Sequence, residues 1–330
     1  MTDIASPKPP RHILCLSGGK DSTALAIHLR RTRPHLNLEY VFTDTLKELT
    51  ETYDYLNRLE ALLNIKITRL NARAGFDHWH KVFGGYLPSP QMRWCTKLLK
   101  LEPFERYVGE DHVVSYVGIR ADEDRVGYIS TKPNITPTFP FKEDGIDYAG
   151  VMRILKESGL GLPPYLNWGR THSGCFFCFF QQPIEWVRLL ENHPDQFEEA
   201  MNYEKLSDEP GKTFTWAQGM SLSELRKPEN VAAIKRRHEE RLQRSALDGV
   251  LGDDGRQGGV DAFPFAGIGQ FSFRPEPSGA KVEDFGVAGI QAQRAGGEGF
   301  TCVHKAQIVF QLDVFIDQAL HLLEGGGVGP

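Results

Sequence analysis

Cysteine is scarce in this chain: five residues in 330. That is too few for a disulfide framework, and with no signal peptide read at the start the expected setting is reducing and cytoplasmic. No apolar run approaches the length of a membrane span, so no membrane is expected as a partner. An excess of one charge is also missing. Thirty-eight Lys and Arg face 43 Asp and Glu, a formal net charge of −5, so nothing global demands nucleic acid. There is no internal repeat. What remains is a 40% apolar chain long enough for one sizeable α/β domain and an accessory region.

Its most informative segment is Ser17-Gly18-Gly19-Lys20-Asp21-Ser22, with the apolar strand-like run His12–Leu16 before it and a helix-like run, Thr23 to Leu29, after it. Strand, glycine turn and helix together make a phosphate site. The glycines let backbone N–H groups converge on an anion, and the helix N-terminus adds partial positive charge. Lys20 neutralises phosphate charge, and Ser17, Ser22 and Thr23 offer hydroxyls. The longer glycine spacing of Walker A is absent.

Three further segments follow in order. Asp44-Thr45 leads to Glu51-Thr52-Tyr53 after the strand-like run Leu38–Thr43. Gly118-Ile119-Arg120 and, after an acidic stretch, Arg125 follow another such run, Val113–Val117. Gly169 then opens a segment ending Ser173-Gly174-Cys175-Phe176-Phe177-Cys178. Ligands of open α/β sheets bind beyond the carboxyl ends of the strands, where Ser17, Asp44 and Gly118 all fall. Two blander readings stay open: Asp44 as a helix N-cap, and Arg120 and Arg125 as solvated loop charges.

The first segment resembles the PP-loop of the ATP-pyrophosphatase superfamily. All four together resemble the phosphoadenylyl sulfate reductase family within it, over residues 12 to about 180. The resemblance implies an adenine nucleotide alpha hydrolase-like, Rossmann-like fold, a doubly wound and mainly parallel sheet. It implies a site for ATP or an adenylyl sulfate built from Ser17, Gly18, Gly19, Lys20, Asp21, Ser22, Thr23, Asp44, Gly118 and Arg120. Lys20, Asp21, Asp44 and Arg120 are the expected catalytic residues, with Mg²⁺ accompanying the nucleotide.

Cys175 and Cys178 have metal-ligand spacing. Cys95 stands in Arg93-Trp94-Cys95-Thr96, where cluster-bearing relatives have a Cys-Cys pair, so Thr96 replaces the second thiol. Three thiolates resemble cluster-dependent thiolating enzymes that leave one iron free for sulfur. A 4Fe-4S cluster, a structural zinc completed by His172, and unligated buried thiols all remain open. Cys15 alternates within the first strand and is expected in the core. Cys302, in Thr301-Cys302-Val303-His304, only faintly resembles the mobile cysteine of the reductases.

Periodicity predicts strands at 12–17, 38–43, 66–70 and 112–118, and helices at 22–32, 50–63, 147–157 and 184–201. His78 and His80, at i and i+2, are expected on one strand face as a packing motif. Residues 1–10 read as a loose tail, 11–205 as the catalytic domain and 206–245 as a basic helical extension. That extension carries seven Lys or Arg against three Glu between Arg226 and Arg244. Residues 246–330 read as a glycine-rich, partly disordered tail, since 17 of the 33 glycines fall within 245–330.

The resemblance implies an enzyme of the ATP-splitting, sulfur-transferring type. An acceptor oxygen attacks the ATP α-phosphate, pyrophosphate leaves and sulfur displaces AMP. A nucleic-acid acceptor and a sulfur-donor protein such as a cysteine desulfurase are the implied partners. The alternatives are a sulfonucleotide reductase and a nucleotide-binding module with a structural zinc.

Overall fold

The computed structural model describes residues 8–124, 132–207 and 213–251, with side chains to 244. Arg125, Cys302 and the glycine-rich tail lie outside the described residues.

Two short crossovers build the first half: β1 (Arg11–Leu16), α1 (Lys20–Thr32), β2 (Leu38–Asp44), α2 (Thr50–Leu63) and β3 (Ile67–Asn71). A connecting region follows, with α3 (Phe76–Val82), a single turn α4 (Trp94–Thr96), a π-type turn at Lys97–Leu101 and α5 (Glu102–Val108). Then come β4 (Val113–Tyr116), β5 (Ile135–Thr138), α6 (Pro140–Glu143) and α7 (Tyr148–Glu157). After a 3₁₀ turn at Pro164–Leu166, helices α8 (Pro183–Asn192), α9 (Pro194–Asn202), α10 (Leu222–Leu225) and α11 (Pro228–Leu251) complete the described chain.

The sheet is wholly parallel, in the order β3-β2-β1-β4-β5. Strand order reverses between β1 and β4, so the loops after Leu16 and after Tyr116 emerge side by side. That is the switch point where such sheets bind ligands. Strands buried on both faces need apolar residues at consecutive positions, and β1 and β2 supply them. Leu14, Leu16, Tyr40, Phe42 and Tyr116 pack in one cluster with residues of α1, α2 and α7. Ile13, Val41, Val113 and Ile135 pack on the other face with Val108 of α5.

Several expectations are corrected. Cys15 is not in the core: it is open to solvent on the Ile13 face of β1. Protein atoms nevertheless surround it, and this desolvated setting pushes its thiol up to about 12. His78 and His80 lie on helix α3, not a strand, because the segment opens at Gly75 and winds into a seven-residue helix that buries Phe76 and Trp79. The expected helix 184–201 is two helices, divided at His193 because Pro194 cannot continue α8 and instead begins α9. Strand β5 went unread, its Ile-Thr-Pro-Thr being short and interrupted by proline.

A second apolar centre lies beyond the sheet. Phe76 is 1% exposed, and its ring centroid lies 5.0 Å from Trp94, 4.4 Å from Phe177 and 5.1 Å from Tyr203. Phe177 in turn stacks on Trp216 at 4.9 Å. Trp94 adjoins Cys95, and Phe177 lies between Cys175 and Cys178, so this one cluster draws both cysteine segments together. Phe76→Ala should cost about 3–5 kcal/mol in urea unfolding, as large aromatic truncations in cores do. Phe76→Leu should cost clearly less. An unchanged unfolding midpoint for the alanine variant would show that the hub does not hold these segments.

Candidate nucleotide and thiol site

At the carboxyl end of β1 the chain turns through Gly18, whose φ of +67° suits glycine. A Cβ there would stand 2.6 Å from Thr52 Cγ2 of α2. Helix α1 then starts at Gly19 with no side-chain cap, which leaves its N-terminus to an anion. Ser17 and Ser22 brace the turn across its mouth, with the Ser17 N–H donating to Ser22 Oγ at 3.2 Å. The Tyr165 hydroxyl accepts from the Lys20 N–H at 3.1 Å. Thr23 is fully buried, so its hydroxyl is shut off from the mouth of the loop.

Charges at this turn form a chain. Lys20 Nζ lies 3.1 Å from Asp21 Oδ2, and Asp21 Oδ1 accepts from Arg120 at 3.2 Å. Arg120 also meets Asp122 at 2.9 Å and Glu123 at 2.7 Å. Burial alone would lower the guanidinium's pKa; these carboxylates outweigh it and raise it. Arg120 is thus held by three acidic groups and positions Asp21. Gly118 permits this approach, since a Cβ there would stand 3.1 Å from the Asp21 carbonyl.

Asp44 is 7% exposed and caps no helix. Its Oδ1 accepts from the Leu46 N–H and from the Tyr53 hydroxyl, both at 2.8 Å. The first of these bonds spans Leu46, which is forced to a φ of +60° and left 64% exposed. A bulky residue in that region stores strain, at the ligand side of the sheet.

The loop from Gly169 to Cys178 packs onto the phosphate turn. Ser173 Oγ lies 3.1 Å from Ser17 Oγ, and a Cβ on Gly19 would meet Ser173 Oγ at 2.5 Å. Arg170, 2% exposed, holds the loop by donating to the Gly174 carbonyl at 3.2 Å and the Cys175 carbonyl at 2.7 Å. Glu185, 1% exposed, accepts from the Thr171 N–H at 2.7 Å and the Gln182 N–H at 2.8 Å. The Phe176 N–H reaches the Lys47 carbonyl at 2.9 Å, tying the loop to the segment after β2.

The three candidate ligands are brought to one region. Cys175 Sγ lies 3.1 Å from Thr45 Oγ1 and 3.7 Å from Glu48 Oε1. The buried Lys100 ammonium lies within electrostatic reach of Cys175, Glu48, Cys178 and Cys95, and its pKa is raised against the opposing effect of burial. Cys178 lies within electrostatic reach of both Cys95 and Cys175. Yet among the described residues no three His, Cys, Asp or Glu side chains stand close enough to hold a metal ion. The donor set suits a thiophilic metal or cluster in its chemistry and in the cation beside it, but it is not preassembled. Sequence reasoning missed Glu48, Arg170 and Tyr165, and read Thr45 only as part of the Asp44-Thr45 pair. Glu48 and Tyr165 act through contacts distant along the chain, while Arg170 holds the carbonyls of Gly174 and Cys175 in its own loop.

The phosphoadenosine phosphosulfate reductase domain family matches residues 11–141. Over that stretch, less than half of the chain, the sequence is similar to a domain of that family. Two uncharacterized proteins of Methanocaldococcus jannaschii are similar to the chain. MJ0066 is 30% identical over 206 residues, 58% of this chain and 40% of its own length. MJ0973 is 24% identical over 192 residues, 55% and 44%. The chain thus spans less than half the length of these relatives. Among solved structures, a phosphoadenylyl-sulfate reductase from Candida auris in a phosphate complex has a TM-score of 0.43 at 20% identity, covering 52% of this chain and 84% of that one. NMN synthetase from Francisella tularensis has 0.33 at 14% identity, covering 61% and 89%. No helix among the described residues is long and apolar enough to cross a membrane.

Burial pushes the Cys95 thiol up to about 11, with Cys178 adding to the rise. Only thiolate reacts with alkylating agents, so metal-free protein should label slowly at Cys95 at pH 7. The rate should climb about tenfold per pH unit until the pH nears that value. Mass spectrometry after iodoacetamide treatment measures this. Labelling at pH 7 as fast as a free cysteine would mean that Lys100 overrides burial.

Proposed function

We propose that this chain is a PP-loop enzyme that binds ATP, adenylates an acceptor with release of pyrophosphate, and transfers sulfur to it. The observation that carries the reading is the contact between the two motifs. Ser173, two residues before Cys175, touches Ser17 of the phosphate turn at 3.1 Å, so phosphate cradle and thiol region share one wall. An enzyme that activates an atom with ATP and then delivers sulfur to it needs that adjacency.

ATP enters as its Mg²⁺ complex. The uncapped N-terminus of α1 and Lys20 hold its phosphates and stabilise the charge that builds on the departing pyrophosphate. Asp21 fixes Lys20, Arg120 fixes Asp21, and Asp44 holds the wall after β2 in place. Cys95, Cys175 and Cys178 would hold an iron–sulfur cluster, or zinc in its stead, and a cluster there would supply the sulfur-carrying chemistry. The acceptor is of nucleic-acid type and the sulfur comes from a donor such as a cysteine desulfurase. Cytoplasmic location and the family's resemblance to ATP-dependent thiolation enzymes belong to the same reading.

The family match supports a second reading, a sulfonucleotide reductase, which would release sulfite from an adenylyl sulfate and leave ATP intact.

Lys20→Ala should slow pyrophosphate release from ATP, or weaken ATP binding, by about 3 kcal/mol, the scale of one lost preorganised electrostatic group. Calorimetric titration with ATP and a coupled pyrophosphate assay measure the two effects. Equal affinity and equal turnover in wild type and variant would sink the proposal. Sulfite release without pyrophosphate would transfer it to the second reading.

A further inference from the structure

The cysteine loop ends on an aromatic surface that its own packing does not use. Phe176 and Phe177 are buried, yet Phe180, two residues after Cys178, is 47% exposed. The Phe179 and Phe180 rings lie 4.4 Å apart. Arg93, two residues before Cys95, lays its guanidinium over the Phe180 ring, 5.0 Å from the centroid. Both cysteine segments thus meet at one exposed pair of ring and cation. Gln182 stands two residues beyond Phe180, at most about 7 Å along the backbone. It borders a cavity of about 340 Å³ between α8 and α11, floored by Ile184 and Ile234 and rimmed by Arg237, His238 and Arg241. Arg241 Nη2 donates to Gln182 Oε1 at 2.8 Å. His238 lies between two guanidiniums, 3.3 Å from Arg188 and 3.1 Å from Arg241. A neutral imidazole accepts at one nitrogen only, so this corner holds more N–H donors than acceptors. Other cations of the basic stretch are matched: Arg226 by Glu198 at 3.1 Å, Lys227 by Glu224 at 2.7 Å and Arg244 by Glu240 at 3.8 Å. Among the described residues no carboxylate pairs with Arg93, Arg237 or Arg241.

We propose that Phe180, Arg93 and the cationic rim of α11 form a docking surface for a single strand of nucleic acid. One base stacks on the Phe180 ring, and the flanking phosphates lie against Arg93, Arg237 and Arg241 and supply the missing acceptors. Stacking rings beside a track of cations is how unpaired strands are held without reading their sequence. An acidic peptide would meet the cations and leave the ring uncovered. A duplex would keep its bases stacked on one another, out of reach of Phe180. The surface reads base faces and phosphates, neither of which depends on the sugar, so ribose and deoxyribose strands both fit. That the docked strand is the sulfur acceptor rests on the sulfur-transfer reading above; its place beside Cys95 and Cys178 suits that role.

The test titrates the full chain, without ATP, into a fluorescein-labelled oligothymidylate of about 12 nucleotides and reads its anisotropy. Phe180→Ala and Phe180→Leu should each weaken binding about tenfold, the scale of one lost base stack, while Phe180→Trp keeps it. Phe180→Leu retains the apolar bulk, so its loss reports the ring face and not hydrophobicity. Arg241→Gln should lower the slope of log affinity against log salt by about 0.7, a readout that does not depend on how the Phe180 variants fold. Arg226→Gln, on the matched part of the stretch, should change affinity less than about twofold. Wild-type binding by Phe180→Leu, a duplex bound as tightly as the strand, an unchanged salt slope in Arg241→Gln, or displacement of the strand by Mg²⁺-ATP would overturn the proposal. If the strand binds through these residues but wild type releases no pyrophosphate from ATP, the ATP-splitting reading falls and the surface stands. Pyrophosphate release by a chain that binds no strand overturns this proposal alone.

Discussion

The carboxyl edge of the sheet depends on one buried guanidinium. Arg170 turns inward and gives its protons to the carbonyls of Gly174 and Cys175, fixing the backbone at the first cysteine. Hydrogen bonds from a charged donor are each worth about 1.5–3 kcal/mol, enough to fix the backbone of a glycine-containing loop. Glu185 reinforces it from α8 by accepting the Thr171 and Gln182 N–H groups at the two ends of the same segment. With the loop fixed, Ser173 reaches Ser17 and Cys175 meets Thr45.

The site has an electrostatic gradient of function. On the phosphate side, Lys20 and Arg120 are matched by Asp21, Asp122 and Glu123, which keep the cations in place until an anion arrives. On the thiol side, Lys100 faces Glu48 and three cysteines that burial keeps protonated. Removing protons from those thiols costs desolvation, and a bound metal ion or cluster would supply the missing positive charge. The same burial keeps the thiols inert toward solvent.

Much of the sheet was legible because its strands are apolar on both faces and end in glycine or Asp-Thr turns. Ser17 through Ser22 lie on the predicted strand-turn-helix, and Asp44 and Gly118 follow β2 and β4 as expected. β5 and the α8–α9 break were not, since proline interrupts both periodicities. Cys15 misled in another way. Alternation places it on a sheet face, but only packing decides whether that face is covered, and beside Cys15 it is open.

By itself the sequence determined the glycine turn, its lysine and the spacing of Cys175 and Cys178, because those depend on local backbone geometry. The tertiary structure decided the rest. Phe76 gathers Trp94 and Phe177, bringing Cys95 into reach of a loop some 80 positions later in the chain. Glu185, from α8, takes the Thr171 proton and fixes the loop before Cys175. Partners so distant along the chain leave no periodic trace in it, since the contact is chosen by packing and by the need to satisfy buried polar groups.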